Sequence, residues 1–278
     1  MTILATPLPP ALGSLTSALS SALPLALGVG LVGGFTSGLC GISPGGALVV
    51  LATLLLGAEQ HVAQGISLVA QIPPTSLTGI KRYRAAEGPR TLGSLPWLAS
   101  GFLVGGAAGA IGAGRISSSI LQWSYVAYLG ILDALLILRA TPRKVTNDTV
   151  PRAESLRRSA LLTVGLLAGL SSGYLGIGGG LAIVVGLVAG LKVPQHQAQW
   201  LSLILSIIPT TAPAAYVYWR EGFLPPWPIL AAVVVGLWSG IDLGARVANR
   251  VRPTVLRRVL VVMVTAMAAY MAWKARFD

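Results

Sequence analysis

Two short motifs, each present twice, hold most of the groups in this 278-residue chain that could do chemistry. The first is A-Q-x-x-S, at Gln64 and Ser67 and again at Gln199 and Ser202. An amide and a hydroxyl three residues apart share one helix face. Inside a membrane such groups turn toward the bundle interior, where they bond across helices or line a cavity. The second motif is a glycine block, GFTSGLCGISPGG from Gly34 and GLSSGYLGIGGG from Gly169. Glycine lets a chain turn and bares its N–H groups, and the N-terminal end of a half-helix favours an anion. Ser37, Gly38, Gly41 and Gly45, with Ser172, Gly173, Gly176 and Gly180, are therefore candidate ligands. Pro74-Thr75 and Pro209-Thr210 follow the A-Q-x-x-S motifs. Each proline would break its helix and free carbonyls, which adds Thr75 and Thr210 to the set. The chemistry implied is recognition of an anion with several acceptor oxygens by uncharged donors. The competing reading is close helix packing through small residues.

Titratable groups are few. His61 and His196 are the only histidines, and both stand just ahead of the A-Q-x-x-S motif, at a helix start near the membrane surface. Histidine exchanges protons near neutral pH, so both are candidates for proton coupling. Asp133 is a third, as an acid expected within a membrane helix. The alternative for the histidines is a polar helix-entry residue. Neither is expected to have a serine at matched depth, which argues against a hydrolytic pair. Asp242 has Arg246 as a local partner four residues on. With one cysteine, Cys40, and two histidines expected on opposite faces, no metal site is expected. No cofactor is expected either, and the coupling ion is left open between H+ and Na+.

The elements that must position these groups are membrane helices. Only 10% of the residues are charged, where a soluble domain spends about a quarter. Mean hydropathy is +0.76. No ionisable side chain precedes Glu59. These figures exclude a soluble enzyme, a nucleic-acid-binding domain and a disordered chain. The net charge of +12 arises from short basic clusters between apolar runs, the mark of loops in a polytopic membrane protein. Apolar runs predict segments near 23–39, 45–58, 62–80, 95–113 and 120–138. A second set follows near 158–174, 180–191, 196–218, 227–247 and 255–274. The short alternating strands of a barrel are not seen, so the fold is all-α. Residues 1–22 read as a leader without the basic region of a signal peptide. Of the 20 Lys and Arg, all but Arg115, Arg220, Lys274 and Arg276 fall on one face. That face comprises loops 81–94, 139–158 and 246–258 together with Lys192. It is predicted to be cytoplasmic, with both termini outside the plasma (inner) membrane.

A shift of 135 positions lays Gly34 on Gly169 and aligns both motifs without a gap, with nearly half the positions identical. The same shift lays Gly101, Gly105 and Gly109 on Gly236, Gly240 and Gly244, spacings that suit helix packing. The chain is a tandem duplication, with repeat 1 over 23–138, a linker over 139–157 and repeat 2 over 158–278. Each repeat is a short Gly-interrupted hairpin, spanning or re-entrant, plus three helices. An odd number of net crossings turns the second copy upside down. Inverted repeats with interrupted helices are typical of secondary transporters, whose site lies at the repeat interface near the midplane.

The doubled G-x-x-S-G-x-x-G-I-x-x-G block, each followed by A-Q-x-x-S-L and Pro-Thr, resembles the sulfite exporter TauE/SafE family, also called the toluene sulfonate uptake permeases. The resemblance covers about residues 25–275. It implies a multi-pass carrier of sulfite, thiosulfate, sulfoacetate or related organosulfonates. The first block departs from the pattern, with Ser43 and Pro44 where the second has Gly178 and Gly179. The expected partners are a small sulfur-containing anion and the lipid bilayer. Nucleic acid is not expected, and a homodimer is compatible. The chain is expected not to be an enzyme. An intramembrane enzyme and, more weakly, a passive anion channel are the alternatives.

Overall fold

A computed structural model describes residues 10–40, 43–74, 93–138, 156–248, 250–251 and 253–277. Among the described residues every long element is helical. The first half holds α1 (Pro10–Cys40), α2 (Gly45–Leu55), α3 (Gln60–Ala70), α4 (Leu95–Gly114) and α5 (Ser118–Leu138). The second holds α6 (Arg158–Leu175), α7 (Gly180–Val185), α8 (Gln195–Leu205), α9 (Ala212–Arg220), α10 (Trp227–Ala248) and α11 (Pro253–Phe277). Four stretches are long and apolar enough to cross a bilayer: Ser21–Leu39, Leu95–Gly114, Trp227–Ala248 and Arg258–Phe277. Large apolar side chains such as Val104, Ile131, Leu167, Val235 and Val262 face outward. In water such a surface would aggregate; in lipid it is solvated. The chain is an all-helical polytopic membrane protein.

Several apolar runs resolve differently from their sequence reading. α1 begins at Pro10, within the stretch read as a leader, and carries Pro24 inside it. α2, α3 and α8 have 11 residues each. At 1.5 Å per residue they are about 16 Å long, half of a bilayer core of about 30 Å. α7 is extended by a π-helical turn over Gly186–Gly190. α2–α3 and α7–α8 are therefore half-length hairpins that follow the long helices α1 and α6. The run 196–218 is two helices, α8 and α9, separated by turns across 206–211 that contain Pro209. Proline has no N–H to continue the ladder, and the chain restarts with Pro213 in the first turn of α9.

The two halves hold each other through glycine stripes. A Cβ on Gly30, Gly34 or Gly38 of α1 would lie 2.1, 2.2 or 2.3 Å from the carbonyl oxygens of Val233, Leu237 and Ile241 on α10. The equivalent residues of α6, Gly165, Gly169 and Gly173, meet Leu98, Phe102 and Gly106 of α4 at 2.3, 2.2 and 2.0 Å. Every partner in the second list is the first shifted by the repeat offset. Residue numbers rise together along both pairs, so each pair runs parallel. Only hydrogen fits at such separations, so the backbones themselves are in contact. Gly236, Gly240 and Gly244 close the α1–α10 seam from the other side, and Gly101, Gly105 and Gly109 close the α4–α6 seam. The packing expected for these six glycines is what the structure shows. Each half's first helix thus packs on the other half's long helix. Apolar cores fill in beside the seams, one around Leu48, Ile66, Tyr125 and Leu237, another around Leu98, Phe102, Ile183 and Leu201.

Candidate functional site between the glycine tips

The two glycine blocks meet where the half-length hairpins begin. A Cβ on Gly45, the first residue of α2, would lie 2.2 Å from the carbonyl oxygen of Ile177 in the second block. Gly38 sits against Ile241 and Ala245, and Gly173 against Gly106 and Ala110. Gly38 and Gly173 thus lie beside the last turns of α10 and α4. α6 ends at Gly176, whose φ of +69° is left-handed and whose N–H bonds to Ser172 O at 2.8 Å. Gly178 is left-handed too, at +72°. A side chain at Gly178 would strike Gln71 Oε1 at 2.0 Å and Ser43 Oγ at 2.4 Å, so glycine is required there twice over.

Hydrogen bonds tie the tips together. Ser67 Oγ donates to Gly176 O at 2.6 Å, with Gly45 O at 3.2 Å as an alternative acceptor. Ser202 Oγ donates to Gly180 O at 3.1 Å, the bond that the repeat offset maps onto Ser67–Gly45. Gln71 Nε2 donates to Ser67 O and Ser67 Oγ at 3.0 and 3.1 Å, and its Oε1 accepts from Ser43 Oγ at 2.8 Å. Ser43, where the blocks depart from each other, also reaches Ile177 O at 3.2 Å. The serines of the A-Q-x-x-S motifs thus spend their protons on backbone carbonyls of the tips.

Gln64 is different. Tyr218 Oη donates to its Oε1 at 2.6 Å and has Gly173 O within 3.3 Å. With the phenol donating to Oε1, Nε2 is the other end of the amide. Gln64 is fully buried, and its Nε2 has no partner among the described residues. Ser172 Oγ, Thr211 Oγ1 and both amide atoms of Gln60 are buried and unpartnered as well. An unmet buried donor costs about 1–3 kcal/mol.

Other expected ligands lie elsewhere or outside the description. Ser37 is buried on α1, Gln199 is half-buried on α8 and Thr210 is buried in the break before α9. Gly41 and Thr75 fall outside the described residues, as does the His196 side chain. Asp133 accepts from Thr265 Oγ1 at 2.7 Å between α5 and α11, away from the tips. Asp242 pairs with Arg246 at 2.6 Å on an exposed face. Among the described residues no group of His, Cys, Asp and Glu could hold a metal ion.

His61 does meet a serine, contrary to the expectation from its depth. Its Nδ1 is 3.0 Å from Ser118 Oγ and its Nε2 3.0 Å from Ala113 O. Ser118 in turn contacts Glu59 Oε1. A hydrolytic triad places the acid on the second imidazole nitrogen. Here the acid engages the serine and a carbonyl takes the second nitrogen, so the order of such a triad is not reproduced. Gln71, Tyr218 and Phe223 were not singled out from sequence. Only Tyr218 left a signal, since the repeat offset maps it onto Tyr83.

The model of the family described as sulfite exporter TauE/SafE matches residues 26–271, spanning both tips and both seams. The chain belongs to the TauE/SafE family. It is 29% identical over 264 residues to a probable membrane transporter protein of Xylella fastidiosa (strain Temecula1), covering 90% of this chain and 94% of that one. It is also 29% identical over 237 residues to the probable membrane transporter protein YdhB of Bacillus subtilis, covering 82% and 91%. This TauE/SafE member is accordingly a membrane transporter.

Proposed function

We propose that this transporter carries small sulfur-containing anions, of the class of sulfite, thiosulfate and organosulfonates, by alternating access, and holds them between the glycine tips. The observation that carries the reading is the Gln64 amide. It is fully buried where the halves meet, accepts from Tyr218, and has an NH2 without a partner among the described residues. Ser172 and Thr211 add buried hydroxyl donors, and Gln60 lies one turn before Gln64 on α3. Three or four neutral donors suit an anion that presents three acceptor oxygens. The half-length hairpins and the break between α8 and α9 supply the discontinuous helices on which such sites are built. The parallel glycine seams supply smooth surfaces on which one half can rock against the other.

Binding of sulfite, thiosulfate, sulfoacetate, taurine and sulfate to the purified chain tests the reading. At least one of the first three is expected to bind, and Tyr218→Phe, which frees the amide to flip, is expected to weaken that binding. If none binds, or if Tyr218→Phe and Gln64→Ala both leave affinity unchanged in folded protein, the site lies elsewhere.

A further inference from the structure

At one end of the bundle the start of α3 meets the end of α4, the start of α5 and the turn after α9. Ala113 O is an acceptor only, so His61 Nε2 must carry a proton. Ser118 lies between His61 Nδ1 and Glu59 Oε1 and has a single proton to give. If Ser118 donates to Glu59, Nδ1 must be protonated and His61 is an imidazolium. If Ser118 donates to Nδ1, the contact with Glu59 requires a carboxylic acid. Both patterns hold one proton more than a carboxylate with a neutral imidazole. Losing that proton leaves two acceptors competing for one hydroxyl.

We propose that Glu59, Ser118 and His61 form a one-proton relay that couples this carrier to H+. The relay joins solvent to the interior: the Glu59 side chain is 64% exposed and that of His61 only 6%. From His61 the contacts continue inward. Its ring stacks on Phe223 at 4.6 Å, Phe223 meets Tyr218 edge-on at 6.0 Å, and Tyr218 bonds to Gln64. Leu224 and the Phe223 carbonyl press on Gly65, so a shift of His61 is felt along α3. The other charged groups at this end are Arg115 after α4, and Arg220 and Glu221 after α9. All three are exposed and screened by water, and Glu221 packs beside Gly114. Coupling also suits a site of neutral donors, since a proton carried along offsets the charge of the anion. That clause rests on the anion reading above; the relay itself does not.

The full chain labelled with [15N]histidine in phosphatidylcholine nanodiscs tests the relay, with His196→Gln assigning the two imidazoles by difference. Nitrogen shifts report imidazolium against neutral ring. The amide that Glu59→Gln introduces can donate to Ser118, which lets Ser118 donate to Nδ1 and satisfies the neutral ring. Glu59→Gln is therefore expected to move the His61 nitrogen shifts toward the neutral ring at a given pH. Ser118→Ala should do so as well. Equal shifts in wild type and both variants would overturn the relay. In proteoliposomes, an acid-outside gradient should speed [35S]sulfite uptake severalfold in wild type and have no effect in Glu59→Gln. An equal response in both would overturn the coupling. If none of sulfite, thiosulfate and sulfoacetate enters wild-type vesicles, the substrate reading fails while the His61 titration still decides the relay.

Discussion

At the scale of single residues, Gln64 separates ligand from scaffold by the sign of two measurements. Gln64→Ala removes two buried donors that no group among the described residues meets, and Tyr218 can turn to Gly173 O. Stability is therefore expected to fall by no more than about 1 kcal/mol, the worth of one ordinary hydrogen bond. Anion affinity is expected to fall by about 0.5–3 kcal/mol, roughly 2- to 150-fold. Melting temperature and affinity on the same purified variant check this. A large loss of stability at constant affinity would make the amide structural. Ser67→Ala should behave in the opposite way, because its hydroxyl is committed to Gly176 O. Its main cost should be in stability, about 1–3 kcal/mol for a buried carbonyl left unmet, with affinity affected through the displaced tip.

At the scale of elements, the seams make a prediction about equivalence. Gly34→Ala and Gly169→Ala each force a methyl group to 2.2 Å from a backbone oxygen, which cannot rotate away. Both should destabilise, by about 1–3 kcal/mol as for other overpacked sites, and by similar amounts. Gly46→Ala, whose nearest neighbour would be Tyr125 Oη at 3.7 Å, should be close to neutral. Thermal unfolding of the three variants in one detergent decides it, and a tolerant Gly169→Ala would break the equivalence of the halves. These seams were legible because glycine every fourth residue marks one helix face. The duplicated tips were legible because two copies of one pattern rarely arise by chance. The half-length of α2 and α3 was not, since an apolar run of 11 residues reads the same whether it spans or turns back. Nor was the relay, because Glu59 and Ser118 are far apart in sequence and only the close of α4 on α3 joins them. Gly186 and Gly190, where α2 has Leu51 and Leu55, mark the π turn only in hindsight.

At the scale of the whole molecule, orientation follows from charge. We propose that loops 81–94, 139–158 and 246–258 face the cytoplasm, because they hold most of the 20 Lys and Arg. In a Cys40→Ser background, single cysteines at Arg84 and Lys144 should be shielded from impermeant thiol reagents in intact cells, and one at Arg220 should react. Labelling at Arg84 with none at Arg220 would invert the assignment. With loops 81–94, 139–158 and 246–258 cytoplasmic, the relay at Glu59 opens to the outside, beside Arg115 and Arg220, so an external acid load would reach it directly.

The glycine seams also govern how the protein can be made. α1 emerges from the ribosome long before α10, the helix it must dock against. α4 waits in the same way for α6. Until the second half is inserted, the first holds bare backbone faces that other small-residue helices could occupy. The unit of duplication is thus not the unit of folding. A gene cut within 139–157 should yield two pieces that are each degraded alone and accumulate only when co-expressed.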